Sequence, residues 1–221
     1  MSVDVKICGL STPETVDAAV EAGADLVGFV FFAPSPRNIP IAEAAALTAR
    51  VPAGVRKVAL SVDADDTLLA EIVAGAGMDI LQLHGQETPE RVREVREMFG
   101  LPVIKAIAIA GPEDVAWARR YEPVVDILMF DAKPPKDATR PGGNALAFDW
   151  TLLSDQSWSK PWILAGGLTP DTVAEAIRVS GAPMVDVSSG VEDGSGGKSV
   201  AKIRAFLTAA KTRGRSPVGS S

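Results

Sequence analysis

The sequence predicts a single-domain α/β protein folded as a closed (β/α)8 barrel, and three observations carry that expectation. Short β-branched runs alternate eight times with Ala-rich amphipathic stretches, and repeated strand-then-helix order implies a parallel sheet. Eight such units within 221 residues favour closure of that sheet over an open, doubly wound one. No "GxGxxG" follows the first strand, which lowers the dinucleotide-binding alternative.

The strands are expected at 3–8 ("VDVKIC"), 25–31 ("DLVGFVF"), 55–62 ("VRKVALSV") and 79–84 ("DILQLH"). Four more follow at 102–109 ("PVIKAIAI"), 124–130 ("VVDILMF"), 161–165 ("PWILA") and 183–189 ("PMVDVSS"). Helix-like segments between them share one grammar. "STPETVDAAVEAG" places Ser or Thr before Pro-Glu and closes on Gly, and "TPERVREVREMFG", "GPEDVAWARRY" and "TPDTVAEAIRVSG" follow suit. Proline is tolerated in the first turn, where its missing N–H is not needed, and glycine readily takes the left-handed end position. Two connections run long, "FAPSPRNIP" and "DAKPPKDATRPGGNALAFDW", and both lie on the strand-to-helix side. That rim carries the active site in barrels of this kind.

Composition sets the class. Hydrophobic residues make up 47% and aromatics only 5%, so the core should be aliphatic. A balance of 22 basic against 28 acidic residues gives a net charge of −6. That argues against a general nucleic-acid or membrane-surface binder, so any anionic ligand must be held by local donors. One cysteine forms no internal disulfide, in keeping with a reducing compartment. No apolar run approaches the roughly 20 residues of a membrane span, and "MSVDVKICG" lacks a basic segment and a cleavage site. The expectation is a soluble cytoplasmic barrel over 1–211 with a tail at 212–221.

Strand parity sorts the polar residues by face. Val5 and Ile7 share one face of strand 1 and suit the helix layer, which turns Lys6 and Cys8 to the barrel interior. In strand 4, Leu81 and Leu83 likewise leave Gln82 and His84 inside. Asp131 has the parity of Ile127 and Met129 and is expected inward at the rim, while Lys105 is expected inward lower down. Taken singly, each has a plain structural reading. Cys8 can be a small buried hydrophobe, Asp131 a cap for the next segment, and Gln82 with His84 a satisfied polar layer. Convergence on one rim argues for chemistry.

Two glycine-bearing loops follow the last strands: Gly166-Gly167 after strand 7, and Ser188-Ser189-Gly190 after strand 8. Successive backbone N–H groups in such loops form anion-binding concavities, and this pair of positions is the recurring phosphate site of the barrel class. Ordinary tight turns are the alternative. Gly142 and Gly143, in "PGGN" after strand 6, are expected to close over the same phosphate. Arg37 in "SPR" either grips a second anion with its planar fork or is a plain surface arginine.

With these residues in hand, the sequence resembles the phosphoribosylanthranilate isomerase family of tryptophan biosynthesis, which are TIM barrels. The matching segments are "VKICGL" (5–10), "GADLVGFVF" (23–31), "SPRNI" (35–39), "LQLHG" (81–85) and "IKAI" (104–107). They continue through "FDAK" (130–133), "GGNALAFDW" (142–150), "WILAGGLTPDTV" (162–173) and "VDVSSGVE" (185–192). The resemblance implies an Amadori rearrangement of a small-molecule phosphoribosyl anthranilate, with Cys8 as general base and Asp131 as general acid. It further implies that Arg37 holds the anthranilate carboxylate, that the strand 7 and 8 loops hold the phosphate, and that no metal or organic cofactor takes part. Lys6 is expected to favour the Cys8 thiolate. The family usually carries Gly-Gly-Thr-Gly or Gly-Gly-Ser-Gly after strand 6, where this chain has Gly142-Gly143-Asn144-Ala145.

Three other readings stay open at this stage. A related sugar-phosphate isomerase of histidine biosynthesis uses paired aspartates, one of them where Cys8 stands. Indole-glycerol-phosphate synthase shares the phosphate grip but has an N-terminal extension that this chain lacks. A non-catalytic phosphosugar-binding barrel would need neither Cys8 nor Asp131. A monomer or homodimer is expected, and the outer helices do not choose between them.

Overall fold

In the computed structural model, which describes residues 3–133, 142, 147–194 and 196–212, eight parallel strands close into a barrel in sequence order. They are β1 (Asp4–Cys8), β2 (Leu26–Phe31), β3 (Arg56–Ser61), β4 (Ile80–Leu83), β5 (Val103–Ile109), β6 (Ile127–Ala132), β7 (Trp162–Leu164) and β8 (Met184–Val187). Closure sets β1 against β8 in a register that pairs Lys6 with Asp186. Eight helices alternate with the strands: α1 (Pro13–Glu21), α2 (Ile41–Thr48), α3 (Asp66–Gly75), α4 (Pro89–Phe99), α5 (Pro112–Ala118), α6 (Thr151–Ser154), α7 (Val173–Ser180) and α8 (Val200–Thr212). Of the expected tail, 213–221 lie outside the described residues. Among the described residues no helix is long and apolar enough to cross a membrane.

The start signals read from sequence work as capping chemistry. Thr12 Oγ1 accepts from Thr15 N at 3.3 Å ahead of α1, and Thr88 Oγ1 accepts from Arg91 N at 3.3 Å ahead of α4. Each satisfies one of the amide donors that a helix start leaves unpaired. Gly100 ends α4 with φ of 65°. "TPDT" behaves differently. Thr169 and Thr172 bond each other's backbone N–H through their hydroxyls, at 3.3 and 3.0 Å, forming a separate turn before α7 begins at Val173.

Two strands sit away from their expected bounds. β6 begins at Ile127 and extends to Ala132, because the amides of Val124 and Val125 bond back to Tyr121 O at 3.0 and 3.1 Å. Those valines complete the 3-10 turn Arg119–Tyr121 and pack beneath the helix layer instead of joining the sheet. β8 stops at Val187, since Ser188 leaves extended geometry and Ser189–Val191 coil into a 3-10 turn.

The core has two layers. Outward-facing strand residues such as Val5, Ile7, Leu81, Leu83 and Phe130 pack against the helices. Inside the barrel, Leu26, Val58, Ile80, Ile104, Met129 and Ile163 fill the lower interior with aliphatic side chains. Above this plug the interior turns polar, with Lys6 and Gln82 fully buried and Asp186 nearly so. The plug supports a polar floor at the end of the barrel where the strands terminate.

One parity expectation fails here. Lys105 shares the face of Val103 and Ile107, and that face looks outward to the helices, not into the barrel. Its ammonium reaches the rim to donate to Glu87 Oε2 at 2.6 Å and Gly85 O at 2.7 Å. The same carboxylate accepts from Asp63 N and Gly85 N at 2.9 Å each, tying the β4–α4 turn to β5. Burial pulls the pKa of this lysine below the ordinary value, and the Glu87 carboxylate opposes the shift.

Candidate active site

Strand ends supply the rim of one cavity. Cys8, Arg37, His84, Asp131, Gly142, Gly166, Gly167, Ser188 and Ser189 all line it. Lys6 and Gln82 lie beneath, fully buried in the polar floor. Gly190 stands behind the lining, and Gly143, Asn144 and Ala145 lie outside the described residues.

Lys6 donates to Asp186 Oδ1 at 2.7 Å and also reaches the Cys8 sulfur. Burial alone would drive this ammonium toward its neutral form, yet the adjacent Asp186 carboxylate and Cys8 hold its pKa above the ordinary lysine value. The expected thiolate-favouring effect of Lys6 on Cys8 is present but outweighed. Complete burial raises the Cys8 pKa, Lys6 pulls it down, and Asp186 pushes it up again, leaving it above the ordinary thiol value. Burial is the largest of these effects and sets the direction.

Three strands round the barrel, Asp131 Oδ1 accepts from Ala132 N at 2.8 Å. Its Oδ2 faces His84 Nε2 at 3.1 Å, and His84 Nδ1 in turn meets Gln82 Nε2 at 3.0 Å. Asp131 is thus no helix cap. Gly142 roofs this pair so closely that a β-carbon there would fall 2.7 Å from both Asp131 Oδ2 and His84 Nε2. The long connection after β6 therefore comes close to Asp131 and His84 at a residue where an added side chain would force one of them to shift.

The two glycine-bearing loops also meet. A β-carbon on Gly190 would lie 1.9 Å from Leu168 O, so only glycine lets the β8 loop lie against the β7 loop. Gly166 and Gly167 take φ of 85° and 65°, turning the chain sharply at the end of β7. The result is a shared concavity of backbone at the mouth of β7 and β8.

Arg37 is 7% exposed, which rules out the plain surface reading. Its Nε donates to Glu192 Oε1 at 2.6 Å, and Lys198 Nζ donates to the same oxygen at 3.1 Å. Lys198 also donates to Ser188 O at 2.8 Å, joining the arginine's support to the loop after β8. Partial burial would raise the Glu192 pKa, but its two cationic neighbours lower it, so this carboxylate stays charged. Sequence reasoning passed over Asp186, Glu192 and Lys198. Asp186 was within reach, because it has the inward parity of Met184, whereas no periodicity marks the other two.

A sequence model described as N-(5'-phosphoribosyl)anthranilate (PRA) isomerase matches residues 5–209. The chain belongs to that family. The N-(5'-phosphoribosyl)anthranilate isomerase of Parvibaculum lavamentivorans is 54% identical over 213 residues, covering 96% of this chain and 99% of the relative. That of Paramagnetospirillum magneticum is 53% identical over 211 residues, covering 96% and 98%. Among solved structures, the phosphoribosyl anthranilate isomerase of Thermotoga maritima superposes with a TM-score of 0.86 at 34% identity, covering 95% of this chain and 99% of that one. A phosphoribosyl anthranilate isomerase structure in complex with reduced 1-(o-carboxyphenylamino)-1-deoxyribulose 5-phosphate superposes with a TM-score of 0.82 at 32% identity, covering 95% of this chain and 99% of that one. Family membership and barrel architecture agree with each other over nearly the whole chain.

Proposed function

We propose that this phosphoribosylanthranilate isomerase family member converts N-(5'-phosphoribosyl)anthranilate to 1-(2-carboxyphenylamino)-1-deoxyribulose 5-phosphate in tryptophan biosynthesis, with Cys8 as general base and Asp131 as general acid. The observation that carries this reading is a thiol and a carboxyl facing one cavity that is bounded by the paired glycine loops on one side and a buried arginine on another. Such a substrate has two anionic ends and a reacting sugar between them, and the cavity offers separate groups for each end and an acid and a base for the sugar.

The phosphate would sit against the backbone of Gly166, Gly167, Ser188 and Ser189, with Gly190 keeping the two loops in contact. Arg37 would take the anthranilate carboxylate through its guanidinium, held in place by Glu192. Asp131 then gives its proton to the furanose ring oxygen as the C1–O bond breaks, leaving an iminium between C1 and nitrogen. Next, the Cys8 thiolate removes the C2 proton, and the electron pair moves toward the iminium to form an enolamine. Loss of the C2 hydroxyl proton and gain of a proton at C1 give the ketone. Acid and base belong to different strands, so neither has to move for the other to act.

A thiol whose pKa lies above the ordinary value is mostly neutral near pH 7, and only its thiolate form is a base. Turnover is therefore expected to rise with pH through the alkaline range. The direct test mixes purified protein with phosphoribosyl anthranilate and follows loss of the anthranilate fluorescence. Catalysed decay is expected; decay no faster than without protein would overturn the assignment. Arg37→Ala should raise KM about tenfold or more with a smaller change in kcat, as removal of uniform substrate binding requires.

A further inference from the structure

Beneath the acid lies a short chain of groups that the reaction as described does not use, Met129 Sδ, the Gln82 amide and His84, and it ends on Asp131. Gln82 Nε2 lies 3.3 Å from Met129 Sδ and 3.0 Å from His84 Nδ1. A thioether sulfur accepts hydrogen bonds and donates none. The end of the Gln82 amide that meets both atoms is therefore its nitrogen, and His84 Nδ1 must accept. In a neutral imidazole one nitrogen accepts and the other carries the proton, so the ring proton sits on Nε2, pointed at Asp131 Oδ2 3.1 Å away.

Turning the amide over would set an oxygen against the sulfur and leave the amide nitrogen where the oxygen now lies. As placed, Gln82 Oε1 has no hydrogen-bond partner among the described residues, although the residue is fully buried. A buried carbonyl oxygen without a partner is costly. The contact of Gln82 Nε2 with Met129 Sδ favours this orientation despite that cost. His84 itself has little room to turn, since Gly142 closes over its Nε2.

We infer that Gln82 is a positioning residue for the acid: it fixes His84 as an Nε2–H donor, so that His84 never competes for the Asp131 proton and instead holds the carboxylate that Asp131 leaves behind. With the opposite tautomer, a bare Nε2 lone pair would face Asp131 and draw its proton away from the substrate. With Nε2–H, the Asp131 oxygen accepts from the ring and its own proton is directed to the cavity. This inference rests on the reading of Asp131 as the acid.

The chain has one histidine, so its ring nitrogens can be observed without ambiguity by long-range ¹H–¹⁵N correlation at about pH 8, above the ordinary histidine range. The wild-type protein should show a neutral ring protonated on Nε2. Gln82→Glu sets an acceptor against Nδ1 and should move the proton to that nitrogen, with kcat falling about tenfold or more and KM staying within about threefold. Met129→Leu, a volume-conserving change, removes the sulfur acceptor and should give a mixture of tautomers with an intermediate kcat; it serves if the glutamate variant does not fold. His84→Gln, which keeps an N–H near the Nε2 position, should retain more activity than His84→Leu. A wild-type ring protonated on Nδ1, or a shifted tautomer with unchanged kcat, overturns the inference. Full activity in Asp131→Asn would instead remove the reading of Asp131 on which it stands.

Discussion

Lys6 is shared between a carboxylate and a sulfur, and the balance between them decides what Cys8 can do. Burial is the largest effect on the thiol, and the field of Asp186, 2.7 Å from the ammonium, adds to it against the pull of Lys6, so the thiol keeps its proton to higher pH than an exposed cysteine. Asp186→Asn removes that field. The rate of Cys8 alkylation should then reach its plateau at lower pH than in the wild-type protein, as read from a series of iodoacetamide reactions. An unchanged or upward-shifted profile would contradict the account of the trio. The same raised pKa bears on stability. A thiol favoured as neutral in the folded state adds stability fully present below the unfolded thiol pKa, and that stability is lost as pH rises through the folded value. Thermal midpoints should therefore fall above about pH 9, and Cys8→Ala should flatten part of that fall.

At the scale of elements, two connections carry consequences that their strands do not. Glu87 holds the β4–α4 turn by accepting from Asp63 N, Gly85 N and the buried Lys105. Glu87→Ala strands that ammonium and should cost about 3–5 kcal/mol in a urea unfolding curve. Adding Lys105→Met should recover part of the loss, because the unpaired charge is then gone. Gly190→Ala drives a β-carbon into Leu168 O and must separate the two loops. Its expected signature is a KM for substrate raised about tenfold or more, with a smaller loss of kcat. Thr-Pro-Glu starts and glycine ends were legible because capping is local chemistry. Val124 and Val125 looked like strand only because β-branched residues also pack well beneath a helix, and Lys105 was turned inward because seven strand residues cannot by themselves say which of two faces holds the helices. Glu192 escaped notice since its partner Arg37 is 155 residues away in sequence, and Lys198 joins Arg37 only through that carboxylate.

Across the whole molecule, a net charge of −6 leaves no general attraction for a substrate with two anionic ends. In the proposed reaction binding falls to the loops and to Arg37, all of which line one cavity at the mouth where the strands end. That gathering was the part of the site most legible in the sequence: parity turned Cys8, His84 and Asp131 inward, and strand order put the glycine loops at the same end. The central claim is that one barrel mouth sets a base on β1 and an acid on β6 to work on a single sugar. It is tested most directly by kcat for isomerisation of phosphoribosyl anthranilate in Cys8→Ala and Asp131→Asn, each beside the wild-type protein. The account predicts an active wild type and a loss of about a hundredfold or more in each variant. Near-normal turnover in either variant would contradict it.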